Sequence, residues 1–110
     1  SRASQIRIDE LNENHPWIAV VFKPLAGKTL PLHPADWTGL WEEALGHDSL
    51  RRMHFASVAD VMENLLELGI CSRTRDGRVD VPDIYRLGFG LRRRGGQAPN
   101  PNPNFFRDNP

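Results

Sequence analysis

The chain has almost no cysteine, no surplus of either charge and no long apolar stretch. Its one thiol, Cys71, excludes an internal disulfide and any cysteine-based zinc cage. Fourteen Lys and Arg balance fourteen Asp and Glu, so no global field draws the protein to nucleic acid or to an anionic membrane. The longest apolar run, Trp17 to Phe22, is six residues, whereas a membrane-spanning helix needs about 20. The first residues, Ser1-Arg2-Ala3-Ser4-Gln5, lack both the apolar core of a signal peptide and an initiator Met. The expectation is therefore a piece of a longer polypeptide, and the single thiol favours a cytoplasmic one. At 110 residues the length suits one domain.

Charge is unevenly placed. Residues 1–48 carry four basic against seven acidic side chains, and residues 49–95 carry nine arginines against six acids. Only two of the basic residues are lysines, a bias that favours carboxylate or phosphate pairing through the planar guanidinium fork. Residues 95–110 contain Pro-Asn-Pro-Asn-Pro-Asn, which builds neither a helix nor a central strand. An extended tail is expected there, with Phe105 and Phe106 as candidate anchors on the domain or on a partner. The division is thus a lead-in over 1–13, a domain over 14–94 and a tail over 95–110.

Within the lead-in, Ile6, Ile8 and Leu11 fit an irregular segment or a short helix. Over 14–27, β-branched and aromatic residues argue for a strand, but Pro16 at a first helical position and Gly27 as a stop argue for a helix. The spacing of Trp17, Val20 and Val21 decides for helix. Lys28 to Leu32 reads as extended. Pro34 opens a helix whose Trp37, Leu40, Trp41, Ala44 and Leu45 form one apolar stripe, closed by Gly46. Asp48 is placed to cap a short helix over 49–53. Ser57 begins the best-marked helix, with Asp60 completing a capping-box pattern and Val58, Val61, Met62, Leu65, Leu66 and Leu68 on its buried face. Gly69 and Ile70 supply a Schellman ending. A hairpin follows, with Asp76-Gly77 at its turn. A short helix or turn then holds Ile84, Tyr85 and Leu87, broken by Gly88 and Gly90.

Helix, short helix, helix and tight hairpin resemble a winged helix. The segment Val61-Met62-Glu63-Asn64-Leu65-Leu66-Glu67-Leu68-Gly69-Ile70-Cys71-Ser72-Arg73-Thr74-Arg75-Asp76-Gly77-Arg78 is similar to the third helix and wing of that superfamily. The resemblance covers residues 34–90, about half of the chain, and implies a mainly α fold with a small β-hairpin wing. Residues 80–96 also resemble the end of winged-helix modules that close large bacterial P-loop ATPases. Winged helices serve many roles, so the fold alone assigns none.

In the familiar docking, the second helix of a helix-turn-helix enters the major groove and supplies Arg, Lys, Asn or Gln to base edges. The corresponding helix here, residues 57–69, has Asp60, Glu63 and Glu67 and no Lys or Arg. It is a poor recognition helix, because its carboxylates would face a polyanion. The arginines lie elsewhere: Arg73, Arg75 and Arg78 on the hairpin, and Arg92, Arg93 and Arg94 beyond it. These six are the candidate contacts. Four readings remain open for them: acidic surface of another domain or partner, nucleic-acid phosphates, internal pairing with Asp76 and Asp80, or plain solvated charge.

Other chemistry is incomplete. Ala26-Gly27-Lys28-Thr29 resembles the end of a phosphate loop. However, Phe22 stands where the first Gly belongs, and Pro31 and Pro34 forbid the helix that must follow. His15, His33, His47 and His54 show no metal-ligand spacing; His15 and His33 adjoin prolines and suit helix starts. Cys71 reads as a small buried hydrophobe. Glu42 and Glu43 point about 100° apart on a helix and do not share a substrate easily. No catalytic residue, cofactor site, metal site or small-molecule substrate is expected. The expected function is a regulatory or docking module of a larger bacterial-type protein; the alternative is a DNA-binding winged helix that uses its wing and arm.

Overall fold

The computed structural model describes residues 2–95, and their side chains from Arg7 to Gly95. Six helices dominate: α1 (Arg2–Asn14), α2 (Pro16–Phe22), α3 (Pro34–Ala44), α4 (Asp48–Arg51), α5 (Val58–Glu67) and α6 (Asp83–Phe89). Four two-residue strands accompany them: β1 (Thr29–Leu30), β2 (Ser72–Arg73), β3 (Val79–Asp80) and β4 (Arg92–Arg93). The fold is therefore mainly α with a small antiparallel hairpin. No helix of the described residues is long and apolar enough to cross a membrane.

Helix α1 is longer than the sequence pattern indicates. It packs on α2 and α6, and Ile8 and Leu11 join the core. Helix α2 starts at Pro16, whose fixed φ suits a first turn, and passes into a 3₁₀ turn over Lys23–Leu25. Trp17, Ile18, Val21, Phe22 and Leu25 are buried, while Val20 is only half-buried. The stripe thus keeps Trp17 and Val21 of the expected pattern but takes Ile18 and Phe22 in place of Val20. Gly27 then turns the chain at φ +88, and its N–H donates to the Gly90 carbonyl (2.9 Å). Lys28 and Thr29 lead into β1, so the Gly27-Lys28-Thr29 segment joins a strand and not a helix.

Histidine caps two helices. His33 Nδ1 accepts from the Ala35 N–H (3.1 Å) while the His33 N–H donates to Asp36 (2.8 Å), a reciprocal box that starts α3. His47 Nδ1 accepts from the Ser49 N–H (3.1 Å) at α4, which corrects the expectation that Asp48 is the cap. Asp48 lies instead in the first turn, where its charge complements the helix dipole. The box expected at Ser57 is also corrected. Ser57 makes no side-chain cap bond, and the Asp60 carboxylate accepts from Ala56 N–H (2.8 Å), one residue further back.

Helix α5 ends in a full Schellman motif. Gly69, at φ +73, donates to Leu66 O (3.1 Å), and Ile70 donates to Leu65 O (3.0 Å). Its Val58, Val61, Met62 and Leu65 are buried; Leu68, placed on that face by the spacing, is exposed at the end of the helix. Helix α6 runs through Gly88 and stops only at Gly90, φ +71. Gly88 is buried within the helix and does not break it.

A chain of rings ties three helices together. Trp37 and Trp41 of α3 lie 4.9 Å apart. Trp41 meets Phe22 of α2 edge-on at 6.2 Å, and Phe22 stacks on Phe89 of α6 at 3.9 Å. Tyr85 extends the series from Phe89 at 6.2 Å. Both tryptophans of α3 are buried, so this pair serves the core and leaves no aromatic surface patch there.

Candidate functional site

The hairpin is built from local rules. β2 and β3 pair antiparallel, Ser72 opposite Asp80 and Arg73 opposite Val79. Between them Gly77 takes φ +82, and the Thr74 hydroxyl donates to the Asp76 carboxylate while accepting from the Arg78 N–H. Val79 is buried and bridges Leu32 in both directions (Leu32 N–H to Val79 O, 2.7 Å; Val79 N–H to Leu32 O, 2.9 Å). The hairpin is therefore seated on the extended segment after β1. On the other side, β1 pairs in parallel with β4, Thr29 opposite Arg92 and Leu30 opposite Arg93.

That second pairing holds the segment after α6 beside β1, and Arg93 links it to the hairpin. Arg93 reaches back to the hairpin base, donating to Asp80 (3.4 Å), to Asp83 of α6 (3.2 Å) and to Val81 O (3.3 Å). Arg86 meets the same Asp83 oxygen at 2.8 Å and also donates to Leu91 O (3.3 Å). Arg93 is thus a clamp between β4, the hairpin and α6. Arg78 pairs with Asp76 at 3.5 Å across the turn. The other four candidates, Arg73, Arg75, Arg92 and Arg94, are exposed and make no ion pair among the described residues. Phe105 and Phe106 lie outside the described residues.

Two of the paired carboxylates, Asp83 and Asp76, titrate low. Asp83 is held below the usual range by the Arg86 hydrogen bond first, and then by Arg93. Asp76 is lowered chiefly by the Thr74 hydroxyl, with help from Arg78. A depressed folded-state pKa contributes stability above the unfolded value, about 3.9, that is lost as pH falls through the folded one. The clamp therefore loosens only in acid below the ordinary carboxylate range, as pH falls towards the lowered Asp83 value. In a carboxyl NMR titration, Arg86→Ala should raise the Asp83 midpoint more than Arg93→Ala does. Equal or reversed effects would contradict this assignment of the causes.

The exposed face of α5 carries Glu63 and Glu67 in solvent, beside Asp60, which is occupied as a cap. Cys71 is 4% exposed. Burial, aided by the Asp80 carboxylate, pushes its thiol up to about 12. Among the described residues no three His, Cys, Asp or Glu converge on a metal position.

A second feature lies beside α4. Leu45, Leu50 and Phe55 form the apolar part of an open groove of about 870 Å³, with Asp48, Arg51, Arg52 and His54 around it. The sequence patterns give Leu45, Asp48 and His54 other roles and do not join these residues into a site. The only local signal is the adjacent pair Arg51-Arg52.

No known family model, curated protein or solved structure matches the chain.

Proposed function

We propose that the protein is a non-catalytic winged-helix module of a larger protein, and that it docks on acidic surface of a neighbouring domain or partner through Arg73, Arg75, Arg92 and Arg94. The observation that carries this reading is that these four guanidiniums are exposed and make no ion pair among the described residues, on the hairpin and on the segment after α6 that Arg93 ties to it. The winged-helix assignment is supported by the order α2, extended segment, α3, short α4, α5, hairpin, and by the Leu32–Val79 bridge that seats the hairpin on that segment. An acidic protein surface fits better than DNA, because a duplex held by the wing would also meet the α5 face with Glu63 and Glu67. Like charges brought together in this way are unfavourable. The runner-up is phosphate contact by the same arginines, giving weakly specific, salt-sensitive DNA binding.

Fluorescence anisotropy with labelled poly-L-glutamate and with a mixed-sequence DNA duplex tests the choice. Poly-glutamate should bind more tightly than the duplex at equal salt. Arg73→Glu plus Arg75→Glu, and separately Arg92→Glu plus Arg94→Glu, should each weaken it by about tenfold or more with unchanged thermal melts. Tighter binding of the duplex, with a steep loss as salt rises, moves the reading to DNA. If the arginine variants unfold, the cluster is structural and the docking role falls.

A further inference from the structure

We infer that the groove beside α4 is a second docking site, which takes an acidic peptide segment carrying one apolar side chain. The inference stands apart from the wing and does not depend on it.

The groove follows from how the chain leaves α4. This helix is only four residues long. After it the backbone turns at His54, which takes φ +56, a left-handed conformation that a side chain disfavours. The turn brings Phe55 back over α2, where its ring meets Trp17 edge-on at 5.0 Å. Leu50 is fully buried beneath, whereas Leu45 and Phe55 are only half-buried. Apolar surface is thus left facing the groove, and Met53 beside it is 39% exposed.

The rim supplies the charge. Arg51, Arg52 and His54 are all exposed, and neither arginine makes an ion pair among the described residues. Asp48 is the one carboxylate in the lining, so two fixed guanidinium charges face a single negative one. Charge complementarity therefore selects an acidic occupant, and Arg is suited to hold carboxylates bidentately. The half-buried Leu45 and Phe55 select an apolar side chain as its anchor. A volume of about 870 Å³ falls within the range of ligand sites, roughly 300–1,000 Å³. Being open along the surface, it admits an extended chain better than a small enclosed anion.

A fluorescein-labelled peptide, Glu-Asp-Glu-Phe-Glu-Asp, provides the test on the whole chain. Arg51→Glu plus Arg52→Glu should weaken its binding by about tenfold or more, while Arg73→Glu plus Arg75→Glu should change it by less than about threefold. A peptide with Gly in place of Phe should bind about tenfold more weakly. The unmodified protein gives an independent readout. Because Trp17 packs on Phe55, its indole N–H resonance should shift on peptide addition, while that of Trp41 stays in place. The inference is overturned if the peptide does not bind, if the wing substitutions weaken it as much as the groove substitutions, or if the Trp17 resonance does not move. Binding lost only through the wing would leave the function proposed above standing and remove the groove.

Discussion

Trp41→Ala should lower the unfolding free energy by about 3–5 kcal/mol, the range for removing a large buried ring. Three losses combine. The side chain is fully buried, so its transfer energy is lost and a cavity remains. Its contacts with Phe22 and Trp37 disappear. Its indole N–H donates to Val21 O (2.9 Å), joining α3 to α2, and that bond is lost as well. A domain of this size has about 5–15 kcal/mol in total, so the variant should melt roughly 15–30 °C lower or fail to fold. Trp41→Phe separates the ring from the bond and should cost less. Trp37→Phe is the informative comparison. The Trp37 indole N–H is buried without an acceptor among the described residues, so removing it relieves an unsatisfied donor. Trp37→Phe should therefore be the milder change by about 1 kcal/mol or more in urea denaturation followed by circular dichroism. The reverse order would show that the Trp41–Val21 bond does not hold the two helices together.

Cys71 should resist thiol reagents until the protein unfolds. Its pKa, displaced from 9.0 to about 12 by burial and then by Asp80, reduces the thiolate population near neutral pH by about three orders of magnitude. Low accessibility lowers the rate further. Labelling of the native protein should therefore follow the fraction unfolded as urea is raised, and Trp41→Ala should accelerate it at zero denaturant. Rapid labelling of the folded protein would contradict the burial of Cys71. The same displacement is unfavourable to a nucleophilic role, since the thiolate is the reactive form.

Elements with strong local signals were legible before folding. Helix α5 follows its apolar spacing and its Gly69-Ile70 ending, and the hairpin turn follows Asp76-Gly77, because these depend on neighbours a few residues away. Histidine caps were less visible. His47 competes with the adjacent Asp48, and only the backbone geometry places the imidazole over the Ser49 N–H. Helix α1 was ambiguous because Ile8 and Leu11 acquire their meaning from the α6 and α2 surfaces they meet. The parallel β1–β4 pair had no legible signal: two arginines carry no strand alternation, and their partners are about sixty residues away in the chain. The Arg51-Arg52 groove was equally hidden, since its apolar part is created by the turn at His54.

What the sequence by itself determined is the local grammar: where α3 and α5 start and stop, where the hairpin turns, and that positive charge gathers on the hairpin and after α6 while α5 stays acidic. Tertiary structure alone decided which of those charges remain available. Arg93 meets Asp80 and Asp83, thirteen and ten residues away, because β4 is held beside β1, whereas Arg73, Arg75, Arg92 and Arg94 are left in solvent. The physical reason is range. Capping and periodicity act within a turn or two of the chain, but an ion pair forms only where folding brings two distant side chains within a few ångströms.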